Sequence, residues 1–183
     1  ALAEEFLAAV STFRPLNPSG RRFAEPLKTY GAAAPLGCAF AFPESWAELP
    51  DPTPPPGGAA FSLVNERAGE WAGQFTFAAV GRQHETSYAG LLANYLGQLR
   101  ENGVEVEADA LKPSAAPPFA GMWSGVFAAQ RGGDPLEVRC AILEHARAWL
   151  LFALVGPDWD LDPEANAVNR RAFRLSLETL ELS

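Results

Sequence analysis

The sequence is poor in the residue types on which most enzymatic and metal chemistry depends. Its 183 residues include two histidines, two cysteines and one methionine. A nucleophile and base pair needs an imidazole beside a Ser, Cys or Thr, with an acid to orient it. Only His84 and His145 are available, the first at the opening of a predicted helix and the second in a predicted hairpin turn. Neither is followed at helical spacing by another ligand, which excludes a metalloprotease-like zinc site. Cys38 and Cys140 stand far apart and belong to no CxxC pattern, which argues against a zinc or thioredoxin-type site. Both lie in predicted strands, where the expected role is a small buried apolar side chain, with a disulfide as the alternative. No P-loop or GxGxxG follows a strand, and Gly132-Gly133 reads as a turn and not a phosphate cradle. The expectation is a chain that is not an enzyme, with no catalytic residue, cofactor or metal ligand assigned.

Basic charge is also scarce. Against 22 Asp and Glu there are 14 Lys and Arg, a net charge of -8, and the cations form no stripe along the chain that could neutralise phosphates. Nucleic acid is therefore not an expected partner. No apolar run reaches the roughly 20 residues that span a bilayer, and no basic start with an apolar middle opens the chain. Pro35-Leu36-Gly37-Cys38 has the look of a bacterial lipidation site, but the apolar stretch before it, Ala32 to Leu36, is shorter than the roughly 7–15 residues such a signal needs. The expectation is a protein soluble as given, cytoplasmic or of the cell envelope. The first residue is Ala and not Met, which leaves room for an upstream segment carrying a signal or anchor.

What the chain does have is a run of strands. From Gly121 to Val155 three apolar segments are joined by Gly132-Gly133-Asp134 and by Glu144 to Ala148, which predicts an antiparallel meander. In the middle strand Leu136, Val138, Cys140 and Ile142 alternate with Glu137, Arg139 and Ala141, so one face is buried and the other partly wet. The third, Trp149 to Val155, is apolar throughout and is expected to lie centrally, covered on both faces.

Before the meander, Gly37 to Phe42, Ala60 to Val64 and Gln74 to Val80 read as strands, the last two separated by Asn65 to Gly73. Thr86 or Ser87 caps a helix whose Tyr88, Leu91, Leu92, Tyr95, Leu96 and Leu99 follow the 3.6-residue period, and Asn102-Gly103 ends it. Val104 to Ala108 reads as an edge strand. Pro50 to Gly58 and Lys112 to Pro118 read as loops, the first a surface loop more than a polyproline ligand. Asp162 and Pro163 open a final helix with Phe173, Leu177 and Leu180 on one face. Asp158, Asp160, Asp162 and Glu164 imitate the start of a calcium loop. Pro163 stands where that loop needs Gly, and Asn169 where it needs Glu, so helix capping is the expected role, with weak cation binding as the alternative.

Residues 1–16 form a short amphipathic helix with Leu2, Phe6, Val10 and Phe13 at helical spacing; 17–35 read as a linker or irregular arm, and 36–183 as one domain. The fold class is α+β, an antiparallel sheet with a C-terminal meander covered by helices. Phe6, Val10, Thr12 and Phe13 align without gaps on Phe173, Leu177, Thr179 and Leu180. Two readings stay open: residues 1–16 end a preceding domain copy in a tandem protein, or they form an N-terminal helix docked on the same sheet.

This order of elements resembles the PsbP/Mog-type superfamily. The resemblance rests on the strand running into Phe42-Pro43-Glu44-Ser45-Trp46, the helix Tyr88 to Arg100, Phe119-Ala120-Gly121 before the antiparallel strands, and Val155-Gly156-Pro157 with Trp159 before a terminal helix. It covers about residues 36 to 182 and implies an α/β/α sandwich. Members of that superfamily include photosystem extrinsic subunits, a nuclear-import factor that binds a small GTPase, and bacterial proteins of unknown role, some of them envelope lipoproteins. No functional residue carries over from it.

The chain has five tryptophans. Trp123 and Trp149 fall in strands and read as core, whereas Trp46, Trp71 and Trp159 lie near turns, where an exposed ring is an interface candidate. The expected function is a non-enzymatic interaction or accessory module that binds another protein through a sheet edge or an aromatic patch. The alternative is a carrier of a small apolar ligand held in a pocket between helices and sheet.

Overall fold

The computed structural model describes residues 25–33, 35–49, 58–84, 87–107, 111–114 and 121–182. The expected helix and domain copy at residues 1–16 lie outside them, as does most of the Pro50 to Gly58 loop.

Gly and polar residues at the reversals, and apolar runs between them, build one large antiparallel sheet. It comprises β3 (Ala47–Glu48), β4 (Ala59–Arg67), β5 (Glu70–Gly81), β6 (Glu105–Val106), β7 (Lys112–Ser114), β8 (Gly121–Arg131), β9 (Asp134–Glu144) and β10 (Ala148–Pro157). The order is β3-β4-β5-β10-β9-β8-β6, with β7 also pairing with β8. Gly132 and Gly133, at φ of 63° and 95°, make the tight β8–β9 turn that the meander requires. All ten residues of β10 are buried, so this strand is central and covered on both faces. On β9 the face expected to be partly wet is itself largely covered, with Ala141 and Leu143 buried and Arg139 nearly so.

Between β4 and β5 the structure differs from the expected long separation. The strands run on to Arg67 and Glu70, closing through Ala68 and Gly69 at φ of 53° and 84°, with a register shift at Asn65/Glu66. The polar text there hid a hairpin because the ladder pairing, and not apolar alternation, extends the strands. Likewise Lys112–Ser114, expected as loop, pairs with β8.

A smaller sheet of β1 (Leu27–Ala32), β2 (Cys38–Pro43) and β11 (Glu181–Leu182), in the order β1-β2-β11, packs against the large one. β1 corrects the reading of 17–35 as linker or arm: it pairs residue for residue with β2, and its Tyr30 enters the core. Its exposed Leu27, Lys28 and Thr29 gave no strand-like alternation. Phe40 and Phe42 of β2 meet Phe75 and Phe77 of β5 and Phe152 of β10 at ring-centroid distances of 4.4–5.8 Å. Aromatic contacts of this geometry favour edge-on and offset packing beyond simple area burial.

Helix α1 (Tyr88–Glu101) begins where the Ser87 side chain accepts from Gly90 N at 3.1 Å and ends before Gly103 at φ 77°. Its Leu91, Leu92, Tyr95, Leu96 and Leu99 cover the opposite face of the large sheet, with Val138, Cys140, Ile142, Trp149 and Leu151. Helix α2 (Pro163–Glu178) is capped by Asp162, which accepts from Glu164 N and Ala165 N, and lies beside the small sheet with Ala172 and Phe173 in the aromatic core. It ends before Leu180. Thr179 Oγ1 instead donates to Leu175 O at 2.8 Å and accepts from Ala41 N at 2.9 Å, turning the chain into β11. The result is the expected α+β sandwich.

Two buried amides fix α2 on the sheet. Asn169 Nδ2 donates to Ala72 O at 2.8 Å and its Oδ1 accepts from Asn65 Nδ2 at 3.4 Å, while Asn166 Nδ2 donates to Pro157 O at 3.1 Å. Gly73 and Gly156 make room: a Cβ at Gly73 would lie 2.7 Å from Asn169 Nδ2, and one at Gly156 would collide with the same atom. Replacing Asn169 by Ala orphans buried groups and is expected to cost about 1–3 kcal/mol, read as a lower urea midpoint at unchanged slope. Gly156→Ala is expected to destabilise the native chain by about 1–3 kcal/mol through overpacking, and by distinctly less when Asn169 is already Ala. Strict additivity of the two changes would contradict the close approach.

Candidate functional site

Helix α2 stands over β10, β2 and β5. It covers the same face of β8 only in part, and a groove of about 520 Å³ runs between them. Met122, Ser124 and Val126 of β8 form one wall, and Phe173 and Leu177 of α2 part of the other. Arg139 of β9 and Arg170, Arg171 and Arg174 of α2 also line it, with Trp159 from the loop before the helix. Val126 and Trp159 are 53% and 56% exposed, unusual for large apolar side chains in this fold. No carboxylate is among the lining residues.

The nearby acids are partly engaged. Arg139 Nε meets Glu137 Oε1 at 2.5 Å, and Glu178 is shared between Arg171 at 3.4 Å and Arg174 at 3.5 Å. Arg170 is exposed and has no ion-pair partner among the described residues. The four acids that imitate a calcium loop are spent on structure where their contacts are defined. Asp158 Oδ1 accepts from Leu161 N, Asp162 caps α2, and Arg67 pairs with Glu164 at 2.7 Å and Asp162 at 3.7 Å. Among the described residues no cluster of three or more His, Cys, Asp or Glu has the arrangement of a metal site.

A second groove, of about 890 Å³, lies between α1 and the sheet at β4, β5 and β10. Its lining mixes Leu91, Leu99, Leu151 and Val155 with Ser62, Gln74, Thr76, Asn94 and Gln98. This is the place expected for a pocket between helix and sheet, but it is more polar than an apolar ligand requires.

The three candidate tryptophans do not converge. Trp46 is 2% exposed, its ring packed edge-on against Phe42 at 5.0 Å, which removes it as an exposed interface ring. The turn after Pro43 folds inward under the small sheet, and sequence marks the turn but not its direction. Trp71 is half-buried on the α1 side of the sheet with the Arg131 guanidinium 4.4 Å over its ring. Only Trp159 lines the arginine groove. The groove's cations were missed in the sequence, although Arg170, Arg171 and Arg174 cluster within one helical turn of a predicted helix; Arg139 comes from a distant strand.

The histidines serve no common site. His84 is exposed and contacts Gln83 at 3.3 Å, and His145 Nδ1 accepts from Arg147 N in the β9–β10 turn. Cys38 and Cys140 are free and buried, one in each core on opposite sides of the large sheet, so no disulfide joins them. Burial pushes the Cys140 thiol and the Tyr95 phenol far up, and raises Cys38 against a partial offset from a backbone hydrogen bond with Ala32.

In the unfolded chain these groups ionise near 9.0 for Cys and 10.0 for Tyr. Above about pH 9 the unfolded state thus releases protons that the folded state retains, so their contribution, complete below that pH, is lost as pH rises. Urea unfolding is expected to show stability declining above pH 9, with Tyr95→Phe flattening the decline. Neither thiol is expected to react with a water-soluble disulfide reagent at pH 8 until the chain unfolds.

No protein-family model and no curated protein matches this chain. Solved structures do. Cyanobacterial PsbP (CyanoP) of Synechocystis sp. PCC 6803 superposes with a TM-score of 0.57 at 10% identity, over 93% of this chain and 100% of that one. A point mutant of Mog1 gives 0.55 at 10% identity, over 86% and 96%. LpqN of Mycobacterium tuberculosis, a protein involved in cell envelope biogenesis, gives 0.50 at 14% identity, over 86% and 91%. The chain spans about half, 48%, of a Bacteroides thetaiotaomicron protein that it matches at a TM-score of 0.47. The fold is therefore PsbP/Mog-like, an α+β sandwich, as the order of elements implied. No helix among the described residues is long and apolar enough to cross a membrane.

Proposed function

We propose that this chain is a non-enzymatic accessory module that docks on another protein, and that the groove between α2 and β8 is its docking face. One observation carries this reading: Trp159 and Val126, the most exposed of the large apolar side chains described, both line the same groove. Exposed aromatic anchors surrounded by Arg are the composition of protein interfaces, where Trp and Arg contribute most of the binding energy. The PsbP/Mog-like fold is compatible with an accessory role but does not select a partner.

The alternative, a carrier of a small apolar ligand, has the size of the α1 groove in its favour and the polar lining against it. Native mass spectrometry of the protein isolated at low salt from its source separates the two. A polypeptide retained by the native chain and lost on Trp159→Ala supports docking at the α2 groove. Added mass of a few hundred daltons that is insensitive to Trp159 supports the carrier. If Trp159 is an anchor, its truncation is expected to cost about 2 kcal/mol or more, roughly thirtyfold in affinity, without lowering the melting temperature.

A further inference from the structure

Resting on the reading of the α2 groove as a docking face, we infer that its occupant is an acidic polypeptide segment carrying an apolar side chain between its carboxylates. The chain as a whole has 22 acids against 14 bases, yet this groove is lined by four guanidiniums and no carboxylate. Arg139 is paired with Glu137, and Arg171 and Arg174 share Glu178, so four guanidiniums face two carboxylates here and the groove keeps a local excess of positive charge.

Guanidinium spacing fits carboxylates. Arg170 and Arg174 are four residues apart on α2 and Arg171 and Arg174 three apart, so their stems are neighbours on the helix surface, roughly 5–6 Å between Cβ atoms. Arg139 enters from the β9 side. Each guanidinium offers five N–H donors in a planar fork that matches a carboxylate. One glutamate, Glu178, is divided between two of them at 3.4 and 3.5 Å, longer than a charge-assisted hydrogen bond needs.

The apolar part of the groove excludes a bare inorganic anion as a sufficient occupant. Val126 and Trp159 are open to solvent beside Phe173 and Leu177, and only a side chain inserted between the charges covers them. The net charge of -8 does not oppose this at contact range, because screening at physiological salt limits the chain's overall field to about 8 Å. Extended polyanions and flat anionic membranes, by contrast, meet the acidic surface outside the groove.

The test uses fluorescein-labelled octapeptides: Glu-rich with central Leu and Phe, the same peptide with Gln for every Glu, and an all-Glu peptide. Fluorescence anisotropy with the full chain at about 0.15 M salt, where the chain's net charge is screened, is expected to rank the first at least tenfold tighter than either other. Its affinity should fall as salt rises, and fall at least tenfold in Arg170→Gln/Arg174→Gln, with circular dichroism and melting temperature unchanged. Equal binding of the Gln peptide, or equal binding to the double variant, overturns the inference. So does binding to phosphatidylglycerol vesicles when the Glu-rich peptide shows none. If a partner polypeptide depends on Trp159 but engages the groove through a neutral segment, the acidic-segment inference fails while the docking face stands. If no polypeptide depends on Trp159, both fail.

Discussion

Everything in this fold answers to one strand that has no polar side. The ten residues of β10, Ala148 to Pro157, are all buried, so each face of the sheet around it must be covered. One cover is α1, whose leucines and Tyr95 lie over Val138, Cys140, Ile142 and Leu151. The other is composite, because the small sheet brings Phe40 and Phe42 onto Phe75, Phe77 and Phe152 while α2 adds Ala172 and Phe173. A chain of this length buries enough apolar surface for two such cores within one sandwich.

The position of α2 decides where anything can bind. Asn166 and Asn169 would be costly to bury without partners, and their Nδ2 groups find carbonyls where β10 and β5 present Pro157 O and Ala72 O, with two glycines leaving room beside Asn169. These bonds hold α2 over β10 and leave part of the same face of β8, around Val126, open to solvent. The groove follows from that offset. Its opposite wall carries Arg170, Arg171 and Arg174, which face away from the core for the same helical reason that Ala172 and Phe173 face into it.

The places where sequence reasoning and structure part share a physical origin. β1 and β7 are edge strands, short and one-sided, so ladder hydrogen bonds hold them without an apolar period to announce them. Trp46 follows a turn, and turns correlate with exposure, but the path after Pro43 leads under the small sheet, where the ring meets Phe42. The hairpin through Ala68-Gly69 was hidden for the same reason as β1.

The meander, the period and capping of both helices, the central place of β10 and the α+β class are all legible in the residues alone, because each depends on local periodicity and turn chemistry within a few dozen residues. So is the scarcity of imidazoles and thiols, which is a matter of counting. Which tryptophan faces water, the placing of Cys38 and Cys140 on opposite sides of the sheet, and the meeting of Arg139 with three arginines of a helix some thirty residues later emerge only on folding. Those facts depend on where α2 and the small sheet dock. That docking is set by buried amides, glycine clearances and aromatic packing between segments far apart in the chain.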